Sequence, residues 1–268
     1  MSCGSNFLRV QLTGGLGNQL FQYAFGRSVA ERFNLTLKLD IGTGFVRDFA
    51  YQRHYELDVF KLSNRTKLVR PSNFEMQVQR MKLALALRQW AFTESYLIEP
   101  SDGKYSPDLV QVKAGKSYTC YGYWQDKRYF SKIEETLRQE LSFNRQLSRP
   151  NQIMAQQLEL ENSVAIHVRR AQYECALGID YYDREIKNIL ELLPDAKLYC
   201  FTDAPAWCDE NLIPKYQMTL IDNKNLPPIE DFQLMSHCRH FIIANSSFSW
   251  WAAWLGQAKE KLIIRPTS

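Results

Sequence analysis

The chain opens on an alternation of apolar and polar residues, Leu8-Arg9-Val10-Gln11-Leu12, the two-residue period of a half-buried strand. Thr13-Gly14-Gly15-Leu16-Gly17-Asn18 interrupts it with the glycines of a tight turn. Phe21, Phe25, Val29 and Phe33 then recur every four residues with Leu20 and Ala24 beside them, which predicts a helix from about Asn18 to Asn34. Leu35-Thr36-Leu37-Lys38-Leu39 alternates again as a second strand. Residues 41 to 71 are irregular and predict loops and short elements. Met76 to Trp90 predicts a helix, and Tyr118 to Tyr121 a strand running into Gly122-Tyr123-Trp124. Phe130, Ile133, Leu137 and Leu141 place a further helix over Lys127 to Leu141.

Around Arg149-Pro150-Asn151 the character changes, and the join of two domains, 1–150 and 151–268, is placed there. Beyond a bridging helix, short apolar runs at Val164–Val168, Leu198–Phe201, Met218–Ile221, Phe241–Ala244 and Leu262–Ile264 alternate with helical patterns at Tyr182–Leu193, Pro205–Glu210, Ile229–Cys238 and Ser247–Ala258. Near-continuous apolar strands separated by helices predict a parallel sheet covered on both faces, a doubly wound α/β domain.

Composition narrows the classes. With 268 residues and 45% hydrophobic and 23% charged residues, the chain is globular rather than disordered, and is of a size for one large or two small domains. A net charge of +4 suits an anionic ligand or a membrane surface without demanding nucleic acid. The six cysteines include no C-x-x-C pair, so neither a disulfide framework nor a zinc site is signalled. The first twenty residues lack the basic start and apolar core of a signal peptide, and the longest apolar stretch, Phe241 to Gly256, is interrupted by Asn and Ser. The expectation is a cytoplasmic protein, at most peripherally associated with a membrane.

Candidate chemistry gathers at strand ends. The turn Gly14-Gly15-Leu16-Gly17-Asn18-Gln19 lies between a strand and a helix N-terminus, where free N–H groups favour an anion, although a purely structural turn has the same sequence. It is neither a Walker loop nor a complete G-x-G-x-x-G. His167-Val168-Arg169-Arg170 follows the first strand of the second half, where open α/β sheets place ligands. A planar guanidinium suits a pyrophosphate; the alternative is a pair of surface salt bridges. Asp203 follows the next strand, and Asn245-Ser246-Ser247-Phe248-Ser249 opens a helix whose first turn can hold a phosphate or simply be capped. Trp250, Trp251 and Trp254 read as helix packing rather than a sugar platform, and His237-Cys238-Arg239-His240 as packing rather than a metal site. No D-x-D and no G-x-S-x-G occurs.

Together these segments resemble glycosyltransferase family 11, the α-1,2-fucosyltransferases, in particular bacterial enzymes of surface-polysaccharide synthesis. The resemblance rests on Gly14 through Tyr23, Gly122-Tyr123-Trp124-Gln125, His167 through Arg170, Phe201-Thr202-Asp203 and Asn245 through Gly256, in the family order. It implies a GT-B-like α/β fold of two Rossmann-like domains facing across a cleft, the acceptor mostly on the first and GDP-fucose mostly on the second. It also implies inverting, metal-independent transfer from GDP-β-L-fucose to the 2-hydroxyl of galactose. No resident cofactor is expected; the partners are GDP-fucose and a galactose-containing acceptor, lipid-linked acceptors included, and not nucleic acid.

By position Arg169 would contact the donor diphosphate, and Asn18 would align donor or acceptor. Gly15, Gly17, Gln19, His167, Arg170, Asp203, Asn245, Ser246, Ser247 and Phe248 complete the expected donor site. Where the family commonly continues H-x-R-R with Gly-Asp-Tyr, this chain has Ala171-Gln172-Tyr173, so that aspartate's role is not carried over. Glu174, Asp180 and Asp40 are candidate bases by loop position. Many relatives continue with an aromatic tail beyond the position of Arg265-Pro266.

Overall fold

The computed structural model describes residues 6–110, 112–113, 115–171, 175–223 and 225–266. The chain divides into two compact units, Met1–Asn144 and Arg145–Ser268, each built on its own five-stranded parallel sheet.

In the first unit β1 (Phe7–Gln11), α1 (Leu16–Arg32) and β2 (Thr36–Asp40) follow the predicted strand, helix, strand order. Then come β3 (Thr66–Val69), α2 (Asn73–Leu87), β4 (Tyr96–Ile98), β5 (Tyr118–Tyr121) and α3 (Glu134–Glu140). The sheet order is β3-β2-β1-β5-β4. Helix α1 lies tight on the sheet because Gly26 has no side chain: a Cβ there would sit 2.5 Å from Val10 Cγ2 and 3.0 Å from Leu37 Cδ1. Leu20, Tyr23, Ala24 and Phe25 are fully buried around it, each large apolar side chain contributing about 1.5–3 kcal/mol.

The sequence pattern misses β3 and β4. Both lie at the edges of the sheet, are short and are mostly half-exposed or exposed, so neither has the apolar period of a strand buried on one face. The helix predicted over Lys127 to Leu141 is also corrected. Two 3₁₀ turns, Lys127–Tyr129 and Ser131–Ile133, precede α3. Asp126 accepts the Arg128 N–H at 2.9 Å and starts the first turn, and Phe130 sits outside helical geometry at φ −130°, ψ 10°.

The second unit contains α4 (Arg149–Leu160), β6 (Ser163–Val168), α5 (Ile179–Leu192), β7 (Lys197–Thr202), α6 (Pro205–Asn211), α7 (Ile213–Tyr216), β8 (Thr219–Leu220), α8 (Pro228–Met235), β9 (His240–Ile242), α9 (Ser247–Leu255) and β10 (Ile263–Ile264). Its sheet order is β10-β9-β6-β7-β8. All six residues of β6 are buried, as a central strand covered on both faces requires. Val164, Ile166 and Val168 pack with Tyr182, Ile186 and Ile189 of α5 on one face.

In both sheets the first strand of the unit lies between its successor and a strand from later in the chain: β1 between β2 and β5, β6 between β7 and β9. Each sheet therefore has a topological switch point beside its central strand, where loops diverge and leave a crevice at the carboxyl ends. No helix among the described residues is long and apolar enough to cross a membrane.

Candidate functional site

At the β6/β9 switch point, strand β6 delivers His167 and then exits through Arg169 and Arg170. Asp203, just past the end of β7, locks this exit. Its Oδ1 accepts the N–H groups of Arg170 (2.8 Å) and Ala171 (3.2 Å), and its Oδ2 accepts Arg169 Nη1. The carboxylate thus fixes both the turn and the orientation of one guanidinium. Arg170 goes elsewhere: it stacks over the Trp207 ring at 4.2 Å and donates to Leu177 O at 2.9 Å. The two adjacent arginines are therefore not equivalent. One is aimed by a carboxylate and the other is spent holding α6 and the loop before α5.

His167 is only 6% exposed, and its Nδ1 has no hydrogen-bond partner among the described residues. Burial, with the nearby Arg169 cation adding to it and Asp203 opposing, pushes its pKa down to about 4. At neutral pH it is an uncharged imidazole. A buried polar atom left unpaired costs roughly 1–3 kcal/mol, which a protein tolerates where a ligand can satisfy it. The ring stacks 5.7 Å from Phe248 in the first turn of α9, so the strand end and the helix mouth meet. Ser246 holds the N-cap position of α9 in extended conformation, but its side chain makes no capping bond, and the first turn has no acidic residue. Thus the positive end of this dipole is not offset by a local carboxylate or by that hydroxyl. Asn245 donates to Cys175 O at 2.9 Å, and Ser247 is the first residue of the helix. Helix α5 braces the arrangement: Tyr181 donates to Ile243 O at 2.7 Å and Tyr182 to His167 O at 3.2 Å. Burial raises both phenols, so they stay protonated donors.

A second cluster forms in the first unit at the β1/β5 switch point. Gly14 takes φ +74°, a left-handed conformation suited to glycine. Gly15 is the N-cap of α1, without a side-chain capping bond, and Gly17 is buried in its first turn. Asn18 accepts from Gln125 Nε2 at 2.7 Å, which joins the glycine turn to the loop after β5. Gln19, fully buried, donates through Nε2 to Gly14 O (2.9 Å) and His54 O (2.7 Å) and accepts the Glu56 N–H (2.9 Å). With both amide N–H groups and its oxygen bonded to main chain, Gln19 shapes the turn.

Sequence reasoning assigned no role to several residues that build this cluster. Gln22 ties Thr13 N–H (3.0 Å) to Gly122 O (3.0 Å). Glu99 accepts the N–H groups of Tyr123 (2.6 Å) and Trp124 (2.8 Å). Arg53 sets its guanidinium 3.5 Å from where a Gly15 Cβ would stand, a cation at the glycine turn. Only Gln22 carried a signal, as a polar residue buried, like Gln19, among the apolar ones of α1; Arg53 and Glu99 lie in loops with no periodicity.

Of the candidate bases, Asp40 is buried, with Oδ1 accepting Gly42 and Thr43 N–H and Oδ2 accepting the Thr43 hydroxyl. It closes a loop. Asp180 is exposed in the first turn of α5, and Glu174 lies outside the described residues. The His237 to His240 segment is structural: His237 pairs with Glu159 at 2.6 Å, and His240 bridges Asn162 (2.9 Å) and the Leu262 N–H (3.1 Å). Trp251 and Trp254 are buried and pack edge to face.

Two parallel-sheet units with a cationic strand exit beside a helix mouth are the framework of the GT-B glycosyltransferases, and a solved structure of that class shares the fold. NodZ α-1,6-fucosyltransferase soaked with GDP-fucose matches with a TM-score of 0.55 at 14% identity, over 94% of this chain and 93% of that one. The chain belongs to glycosyl transferase family 11, whose family model matches residues 7–268. It is 29% identical to the α-1,2-colitosyltransferase of Escherichia coli over 280 residues, 96% of this chain and 90% of that protein. The O-antigen biosynthesis glycosyltransferase WbnK of E. coli is 26% identical over 95% of this chain and 92% of its own length. Galactoside α-(1,2)-fucosyltransferase 1 of Leontocebus fuscicollis is 26% identical over a shorter stretch, 47% of this chain and 40% of that protein. The protein is a glycosyltransferase.

Proposed function

We propose that the protein transfers L-fucose from GDP-β-L-fucose to the 2-hydroxyl of a terminal β-galactose in a surface glycan or oligosaccharide, with inversion. The observation that carries this reading is the convergence of Arg169, held by Asp203, and neutral His167 with the uncapped mouth of α9 at the β6/β9 switch point. That set of groups suits a diphosphate that must gain negative charge as it departs. The galactoside fucosyltransferase relative supports the choice of sugar and acceptor, and both it and the colitosyltransferase support the α-1,2 linkage.

In this reading the acceptor oxygen attacks the anomeric carbon from the face opposite GDP. The new C–O bond forms as the bond from the anomeric carbon to the β-phosphate oxygen breaks. The electron pair leaves with GDP, and the hydroxyl proton passes to water or a nearby carboxylate. Arg169 and the first-turn N–H groups of α9 stabilise the departing charge, about 3–4 kcal/mol for one well-placed donor, in the place a bridging cation would take. His167 supplies a neutral hydrogen-bonding nitrogen without repelling Arg169. On the first unit, Asn18 and Arg53 are the polar groups that the glycine turn offers to a sugar.

The colitosyltransferase match favours a second reading, the same transfer with another deoxysugar donor. Incubating the protein with GDP-fucose or activated colitose and a panel of β-galactosides, with the linkage read by NMR, separates the two. The proposal expects an α-1,2-fucoside, formed equally well in the presence of a chelator. Product from the colitose donor alone supports the second reading, and GDP binding without any product refutes both.

A further inference from the structure

Helix α2 packs inward through Leu83 and Ala86, yet its outer stripe is apolar as well. Phe74, Val78, Met81 and Leu85 follow one another at i, i+4, i+7 and i+11 along the opposite side. Phe74 is 75% exposed and Met81 56%. The chain leaving the helix adds Trp90 at 71% and Phe92 at 44%. Isolated exposed apolar residues are ordinary, but an apolar stripe along the outer face of a helix, followed by two exposed aromatics, marks an interaction surface.

The charge around it is one-sided. Residues 65–92 contain Arg65, Lys67, Arg70, Arg80, Lys82 and Arg88 against a single acid, Glu75, so this stretch is net +5 in a chain whose total is +4. Arg88 lies over the Trp90 ring at 5.3 Å and Lys82 over Phe92 at 5.5 Å, which keeps each cation beside an exposed aromatic. On the sheet beneath, Arg9, Lys38 and Lys67 stand in register across β1, β2 and β3, and burial, with repulsion from Arg9 and Lys67 added to it, lowers the Lys38 pKa.

We infer that α2 and the segment through Phe92 form a docking surface for an anionic lipid bilayer. An apolar stripe flanked by Lys and Arg, with tryptophan at its end, matches an interfacial helix: the rings enter the headgroup layer and the cations meet phosphates. A second copy of the chain is a poor occupant, because a two-fold interface would set one positive surface against another.

Co-sedimentation with vesicles of phosphatidylcholine, alone or mixed with phosphatidylglycerol, tests this. Binding is expected to the mixed vesicles only and to weaken with added salt. A Lys82→Gln/Arg88→Gln variant loses about 25-fold in partitioning, about five-fold for each basic residue beside an anionic leaflet. A Phe74→Ser/Trp90→Ser variant no longer sediments with vesicles. Both variants keep the parent's circular dichroism and melting temperature, since the four side chains are not part of the core. Equal binding to neutral vesicles, parent-level binding by the charge variant, or a concentration-dependent dimer dissolved by Trp90→Ser would each overturn the inference.

Discussion

Replacing His167 by leucine separates stability from function at one side chain. In the native protein its pKa is about 4, whereas an unfolded histidine sits near 6.5. The unfolded chain therefore holds a proton between these values that the folded chain does not. Stability is fully present above pH 6.5 and is lost as pH falls toward 4, at up to ~1.4 kcal/mol per pH unit and about 3 kcal/mol in all. That is a large part of the 5–15 kcal/mol typical of a domain. His167→Leu removes this titration and also replaces the unpaired Nδ1 with carbon against Phe248 and the strand core. Because no hydrogen bond to that atom is lost, the variant should be within about 1 kcal/mol of the parent at pH 7. It should be more stable than the parent at pH 4.5. Donor binding should weaken at pH 7. Urea unfolding followed by fluorescence from pH 4 to 7.5, with calorimetric titration of GDP at pH 7, reads all three quantities. Burial also lowers the His240 pKa, but that residue is common to both proteins and cancels in the difference. An unchanged pH slope, or a loss of several kcal/mol at pH 7 with normal GDP affinity, would refute the reasoning.

Other consequences follow from the same geometry. Arg169→Ala should lower kcat by about a hundredfold or more, the loss expected for one donor to a developing anion, with little change in melting temperature; steady-state kinetics beside calorimetry reads both. Gln19→Ala deletes three part-buried bonds to main chain and should destabilise the first unit by about 2–4 kcal/mol, measured by urea unfolding. Gly26→Ala sets a methyl 2.5 Å from Val10 Cγ2. It should cost about 1–3 kcal/mol by overpacking, and a thermal shift of less than a degree would contradict the close approach of α1 to β1.

Local sequence determined much of this protein. A strand buried on both faces is apolar over most of its length, and β6 and β7 were legible for that reason. The four-residue recurrence of phenylalanine and valine marked α1, and the glycines marked the turn before it. The chemistry-bearing types at strand ends were visible as well: His167, Arg169, Asp203 and the Ser246–Ser247 helix start. Edge strands β3 and β4 escaped because a half-exposed strand of three or four residues has no distinctive period.

Tertiary structure alone decided what those residues do. Arg169 and Arg170 are adjacent and chemically identical, yet Asp203, 34 residues beyond Arg169, aims the first while Trp207 captures the second. Gln19 stands at a helix mouth, and there His54 and Glu56, more than 30 residues away, each take one hydrogen bond of its amide. Strand neighbours β5 and β9 create the two switch points through pairings between segments far apart in sequence. Hydrophobic period is set by each residue's own burial and can be read along the chain. A hydrogen-bond partner is set by how distant segments meet, and that depends on the packing of the whole unit.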